Sequence, residues 1–228
     1  MKKVDAYIET IKEEMNCHTV FTLGGVGIKE SVVATLIISI AVFLIGLIVT
    51  SRLRVENPSR RQLAVESFVL WLEGFYANTL GEKGRRYAPY MMTIACYVAI
   101  ANVFDIFGMK PPTKDMNCTA ALALMTIVLV QYAGIRARGV KGWLHSFVEP
   151  MPVMLPMNIL ELFIKPVSLC MRLFGNVLGA FVVMSLVQGL TKFILPVPFA
   201  LYFDFFDGLI QVYVFTFLSS MYISEAVE

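Results

Sequence analysis

The chain has 228 residues, of which 57% are hydrophobic and 16% charged, with a formal net charge of +2 and a mean hydropathy of +0.71; soluble domains are excluded, and an all-α integral membrane protein is expected. So small a charge, with its bases spread among loops rather than gathered in one patch, excludes a nucleic-acid partner. Four scattered cysteines without CxxC spacing (Cys17, Cys96, Cys118, Cys170), two histidines (His18, His145) and the absence of GxxxxGK[ST], HExxH and GxSxG motifs leave no metal or cofactor site and no hydrolytic chemistry in the chain alone.

Residues 1–31 are polar and of mixed charge, unlike a signal peptide, and read as an external N-terminal segment. Val32 to Thr50 carries no charge and is long enough to cross a hydrocarbon core of about 30 Å, which predicts a first membrane helix over 32–50. Arg52, Arg54, Arg60 and Arg61 follow and place that end in the cytoplasm by the positive-inside rule. Within the cytoplasmic loop 51–86, Gln62 to Ala77 is amphipathic, with Trp71 and Tyr76, and is expected to lie on the inner surface. Two further spans are predicted over 87–104 and 116–135, joined by an external, turn-rich loop at 105–115. The segment 136–165 is apolar but holds Pro150, Pro152, Pro156, Glu149, Glu161 and Lys165, so a cytoplasmic or re-entrant path is expected rather than a straight helix. A long helix over 166–192 and a final helix over 200–224 complete about five membrane helices and one surface helix. Cys17 and Cys118 fall on one side, where a bridge between them stays open.

The long helix carries its polarity on one face. Ser168, Arg172, Gly175, Asn176 and Gly179 stand at i, i+4, i+7, i+8 and i+11, and the small residues let another backbone pass close to the cation. Asp204, Asp207, Gly208, Gln211, Ser219 and Tyr222 form a similar face on the last helix. Ionisable groups near a bilayer centre cost roughly 2.5 to 3.5 kcal/mol each on insertion scales, so their presence points to a water-filled ion path. A static Arg–Asp pair fixing helix register, amides that glue helices together, and an Asp207 that merely sits at the outer surface are the structural alternatives. A stand-alone secondary transporter and a non-transporting scaffold remain open as functions.

At these residues the chain resembles a known family, subunit a of the F-type ATP synthase. SLCMRLFGN, Ser168 to Asn176, is similar to its hallmark SLxxRLFGN; DFFDGLIQVYVFTFL, from Asp204, and PPTKDMNCTAALAL, Pro111 to Leu124, match two further segments. With NPSRRQLAVE and Glu149-Pro150, the resemblance runs from about Arg52 onward. It implies a stator that is not catalytic alone and that couples H⁺ or Na⁺ flow to rotation. Arg172 would face the carboxylates of the subunit c ring between two half-channels, with the last two helices as a tilted hairpin against that ring. Asp204, Asn176, Gln211 and Asp115 would line the outer half-channel or the arginine contact, Glu161 the inner one, and Ser168 the ion path, with Asp207 and Asp105 as helpers. Gly175, Gly179 and Gly208 would meet the c ring. Implied partners are the c ring, the subunit b stalk, the rest of the synthase and membrane lipid, with no cofactor. The implied location is a bacterial plasma membrane, N-terminus outside and C-terminus in the cytoplasm. Where some members carry an acid, nine residues after the arginine, this chain has Phe181.

Overall fold

The computed structural model describes residues 19–23, 26–51, 58–103, 111–146, 155–190, 198 and 201–228. A two-stranded antiparallel hairpin, β1 (Thr19–Leu23) and β2 (Val26–Lys29), precedes the helices. It is a small addition that the polarity of residues 1–31 did not foretell. The described elements after it are helices: α1 (Glu30–Thr50), α2 (Arg60–Gly84), α3 (Ala88–Val103), α4 (Met116–Ser146), α5 (Leu155–Leu190) and α6 (Gly208–Val227), with short 3₁₀ and π turns between them. The fold is that of an all-α membrane protein. Among the described residues, four helices are long and apolar enough to cross a membrane: Glu30–Thr50, Met116–Ser146, Leu155–Val187 and Phe205–Val227. With 16 residues, α3 is shorter, about 24 Å.

Helix faces explain the packing. On α1 only Ser31, Ala34 and Ile38 are buried, at i, i+3 and i+7, while Phe43 and Ile48 are 65% and 71% exposed, as side chains that meet lipid would be. On α3 the buried stripe is Met91, Ile94, Ala95, Val98, Ala101 and Asn102; on α4 it is Thr119, Ala123, Thr126, Ile127, Val130, Ala133 and Gly134. Small residues dominate the α4 stripe because close backbone approach, rather than escape from water, holds helices together in lipid. Gly134 shows this directly: a Cβ there would stand 3.2 Å from the Ala226 carbonyl oxygen of α6. A core of Tyr76, Leu80, Met91, Val98, Leu169, Leu173, Phe215 and Ile223 joins α2, α3, α5 and α6. Within it the Tyr76 hydroxyl bonds Thr216 Oγ1 at 2.9 Å.

The first half of α2 opens on a Ser59 cap, whose hydroxyl accepts from the Gln62 amide at 3.3 Å, and exposes Phe68, Leu70 and Trp71. Gly81, at φ 70°, bends it before the chain turns into α3.

Two differences from the sequence reading concern prolines and a glycine. The helix that bears Arg172 begins at Leu155, not at 166, and passes through Pro166. Pro156 sits in the first turn, where no backbone donor is needed, and a single interior proline forfeits one bond without ending a helix that neighbours support. Likewise α4 continues past 135 to Ser146, although Gly139, at φ 74° and ψ 164°, turns its last residues. Arg52, Arg54, Glu149, Pro150 and Pro152 lie outside the described residues. Cys17 does too, and Cys118 is a free thiol 3.4 Å from Thr35 Oγ1.

Candidate functional site

Helix α5 packs along α4, and α6 lies in a cradle of α2, α3 and α4, so α5 and α6 touch over only a short stretch. Polar residues of both helices come together at two places along them. A recess of about 30 Å³ is lined by Asn102 of α3, Thr113 of the Pro112–Lys114 turn, Asn176 of α5, and Asp207, Gly208 and Gln211 at the head of α6. The chain enters α6 through a wide, π-type turn, Leu201–Asp207, a geometry that recurs at functional sites.

The recess is built around unsatisfied polarity. Asn102 Nδ2 donates to the Gly208 carbonyl at 3.0 Å, which leaves Asn102 Oδ1 as the free end of the amide. Asn102 Oδ1, Thr113 Oγ1 and Gln211 Nε2 are buried and have no hydrogen-bond partner among the described residues. Each such atom costs about 1–3 kcal/mol, and three on one small cavity fit a site that water satisfies. Asn176 and the Asp207 carboxylate line the same recess. Two of these residues, Asn102 and Thr113, escaped the sequence reading. Asn102 was visible only as one amide at the end of an apolar run, and Thr113 lay unremarked inside the PPTKD motif.

A second polar cleft, about 250 Å³, lies at the far end of α6 and includes Asn158, Glu161, Lys165, Tyr222 and Glu225. Lys165 Nζ reaches both Glu225 oxygens at 3.0 and 2.9 Å and Glu161 at 3.5 Å. The pairing of Lys165 with Glu225 was also missed, because 60 residues separate them. Arg172 lines neither cavity. It stands on α5 between them, half-buried, 11 residues beyond Glu161 and one turn before Asn176. Among the described residues it has no carboxylate within ion-pairing distance. Ser168 is half-buried one turn before it.

The remaining expected residues separate. Gly175 and Gly179 are exposed, and a Cβ on either would meet nothing within 4 Å. Gly208 is different: its missing side chain is used inward, since a Cβ would come within 3.2 Å of Asn102 Cβ. Asp115 does not line the recess. It accepts from Ser31 Oγ at 2.6 Å and from the Asn117 amide at 3.0 Å, and lies 3.9 Å from Lys29 Nζ, so it caps α4 and staples it to α1. Phe181 carries Lys114, whose Nζ sits 3.4 Å from the ring centroid. Asp105 and the Asp204 side chain lie outside the described residues.

The comparisons with known proteins agree with one another. Residues 32–224 match the family described as ATP synthase A chain. The chain is 39% identical over 210 residues to "ATP synthase subunit a" of Moorella thermoacetica, covering 92% of this chain and 95% of that one. It is 35% identical over 208 residues to "ATP synthase subunit a 2" of a Bradyrhizobium strain, covering 91% and 92%. To "ATP synthase subunit a, sodium ion specific" of Propionigenium modestum it is 31% identical over 186 residues, covering 75% and 64%. A match from the first membrane helix almost to the end of the last, with such relatives along nearly its whole length, means that the chain belongs to the ATP synthase A chain family.

Proposed function

We propose that this subunit conducts ions through two aqueous half-channels that do not join, and that Arg172 toggles the charge of carboxylates carried past it on a rotating c ring. The observation that carries the reading is the pair of cavities with polar side chains in their walls, set on either side of Arg172, a cation with no carboxylate partner among the described residues. From Glu161 to Asn176 is 15 residues of α5, about 22 Å, and from Gln211 to Glu225 is 14 residues of α6, about 21 Å. The cavities therefore lie toward opposite membrane faces, with Arg172 in the gap.

The charge balance suits this role. A carboxylate in lipid has its pKa raised by about 3–5 units through desolvation, so it travels protonated and neutral. A guanidinium keeps its charge in any protein environment. At about 4 Å and an effective dielectric near 20, the two attract by roughly 4 kcal/mol, or about 3 pKa units, which is comparable in size and opposite in sign. A rotor acid reaching Arg172 gives up its ion, and on leaving must take another from the cavity on the other side. The fixed cation also bars direct leakage between the cavities. A membrane potential adds about 2.3 kcal/mol per charge per 100 mV and biases the direction.

The recess takes the outer position and the Lys165 cleft the inner one. This follows from Arg138, which lines the cleft, and from its neighbours Arg136 and Lys141 in the sequence, bases of the kind that mark the cytoplasmic face of a membrane. The subunit then sits in a bacterial plasma membrane with its C-terminus in the cytoplasm, beside the c ring and the b stalk.

The test is Arg172→Lys in the assembled synthase, reconstituted into vesicles. Loss of ATP-driven ion pumping, despite retained charge, is the expected result, because a compact ammonium cannot reproduce the forked geometry. Full pumping by that variant would leave Arg172 as a register pin and overturn the reading.

A further inference from the structure

The basic end of α4 holds a further site beside the Lys165 cleft, whose wall Arg138 and Trp143 also line. Arg136, Arg138, Lys141 and His145 fall within ten residues, and the Gly139 bend (φ 74°) turns the last helical residues away from the axis of the span. Beyond that bend the short stretch has three distinct faces. Trp143 is drawn back to the protein by its Nε1–H, which donates to Gln131 Oε1 at 2.9 Å. Lys141 and His145, four residues apart, share a second face, and both are exposed. Val140 and Leu144, also four apart, form a third and are 61% and 57% exposed. Arg138 donates from Nη2 to the Glu225 carbonyl at 3.2 Å, which fixes its guanidinium beside the same stretch while other N–H donors remain.

A cavity of about 690 Å³ opens between Arg138, Lys141, Gly142 and His145 on one side and Glu228 on the other. Arg138 and Lys141 set two permanent cations on this wall against the Glu228 carboxylate. We infer that this cavity binds the phosphate headgroup of an anionic phospholipid. The cations are matched to a phosphate, and a guanidinium held in place is suited to its forked recognition. Val140 and Leu144 identify the ligand as a lipid rather than a soluble anion: two exposed apolar side chains next to the bases give acyl chains a surface to lie on, and inorganic phosphate has no use for them. Basic pockets at the cytoplasmic ends of membrane helices hold anionic headgroups by the same combination.

The experiment uses the assembled synthase in vesicles of phosphatidylcholine containing equal small fractions of photoactivatable phosphatidylglycerol or photoactivatable phosphatidylcholine, with crosslinks mapped to peptides. The anionic probe is expected to label residues 136–146 well above the zwitterionic one. Lys141→Gln should reduce that excess by about fivefold, the effect of one base at a membrane surface, and Arg138→Gln with Lys141→Gln should abolish it. ATP-driven pumping measured in the same vesicles should persist in Lys141→Gln, which separates this inference from the role of Arg172. Equal labelling by the two probes would overturn the proposal, as would undiminished labelling of Lys141→Gln. Displacement of the anionic probe by millimolar inorganic phosphate, with no preference for lipid, would also overturn it in favour of a soluble anion.

Discussion

The Asn102 amide donates to the Gly208 carbonyl at 3.0 Å, and a methyl group on Gly208 would stand 3.2 Å from Asn102 Cβ. The absence of a side chain at 208 is what lets α6 come close enough for that bond, and the bond in turn presents Asn102 Oδ1 to the recess. Gly208→Ala is expected to push α6 off α3 at a cost of roughly 1–3 kcal/mol. Thermal unfolding of the purified complex should register the loss, and ion flux in vesicles should fall with it. A variant with wild-type stability and flux would mean that the neighbouring helices accommodate the methyl freely.

Asp207 shares its recess with the Asn176 amide, so its charge is expected to matter more than its shape. Asp207→Asn keeps the size but removes the ionisable group, and flux is expected to drop about tenfold or more, as when a positioned proton carrier is lost. Asp204→Asn should slow uptake similarly while the complex still assembles. Unchanged flux in the first variant alongside a collapse in the second would assign the whole relay to Asp204.

For Gly179 the chain itself gives no reason for glycine, since a Cβ there meets nothing within 4 Å. Gly179→Ala should therefore leave the subunit as stable or firmer, by up to about 1 kcal/mol from helix propensity. If a c ring passes this face, turnover of the assembled machine should nonetheless decline. Single-molecule rotation rates would decide, and an unaffected rate would remove Gly179 from the contact.

Lys165 and Glu225 form a pair in which the carboxylate is 60% exposed, so its stabilising effect is small, about 0.2–1 kcal/mol, and weakened by salt. Lys165→Glu alone would set three acids together and is expected to impair coupling at low salt. Combining it with Glu225→Lys should restore pumping. Failure of the double variant to recover would show that Lys165 acts on something other than Glu225.

What could be read from the sequence follows from how local each feature is. The face bearing Ser168, Arg172 and Asn176 was legible because polar residues at helical spacing stand out in an apolar run. Asn102 was not, since its partner Gly208 lies 106 residues away. Asp115 was found by motif, but its contact with Ser31, 84 residues distant, gives it work in holding helices together. Pro156, with Glu161 and Lys165, misled in the other direction: a proline and charges in an apolar run argue against a straight helix, whereas packing against α4 supports α5 from Leu155 onward.

The bare backbone at Gly175 and Gly179 has a mechanical consequence. Helices lock together when ridges of side chains seat in facing grooves, and a surface lacking ridges gives a neighbour nothing to catch on. About one and two turns beyond Arg172 on the same face, these two positions leave a smooth strip, so that a partner passing there would feel the pull of the charge without falling into a rut beside it.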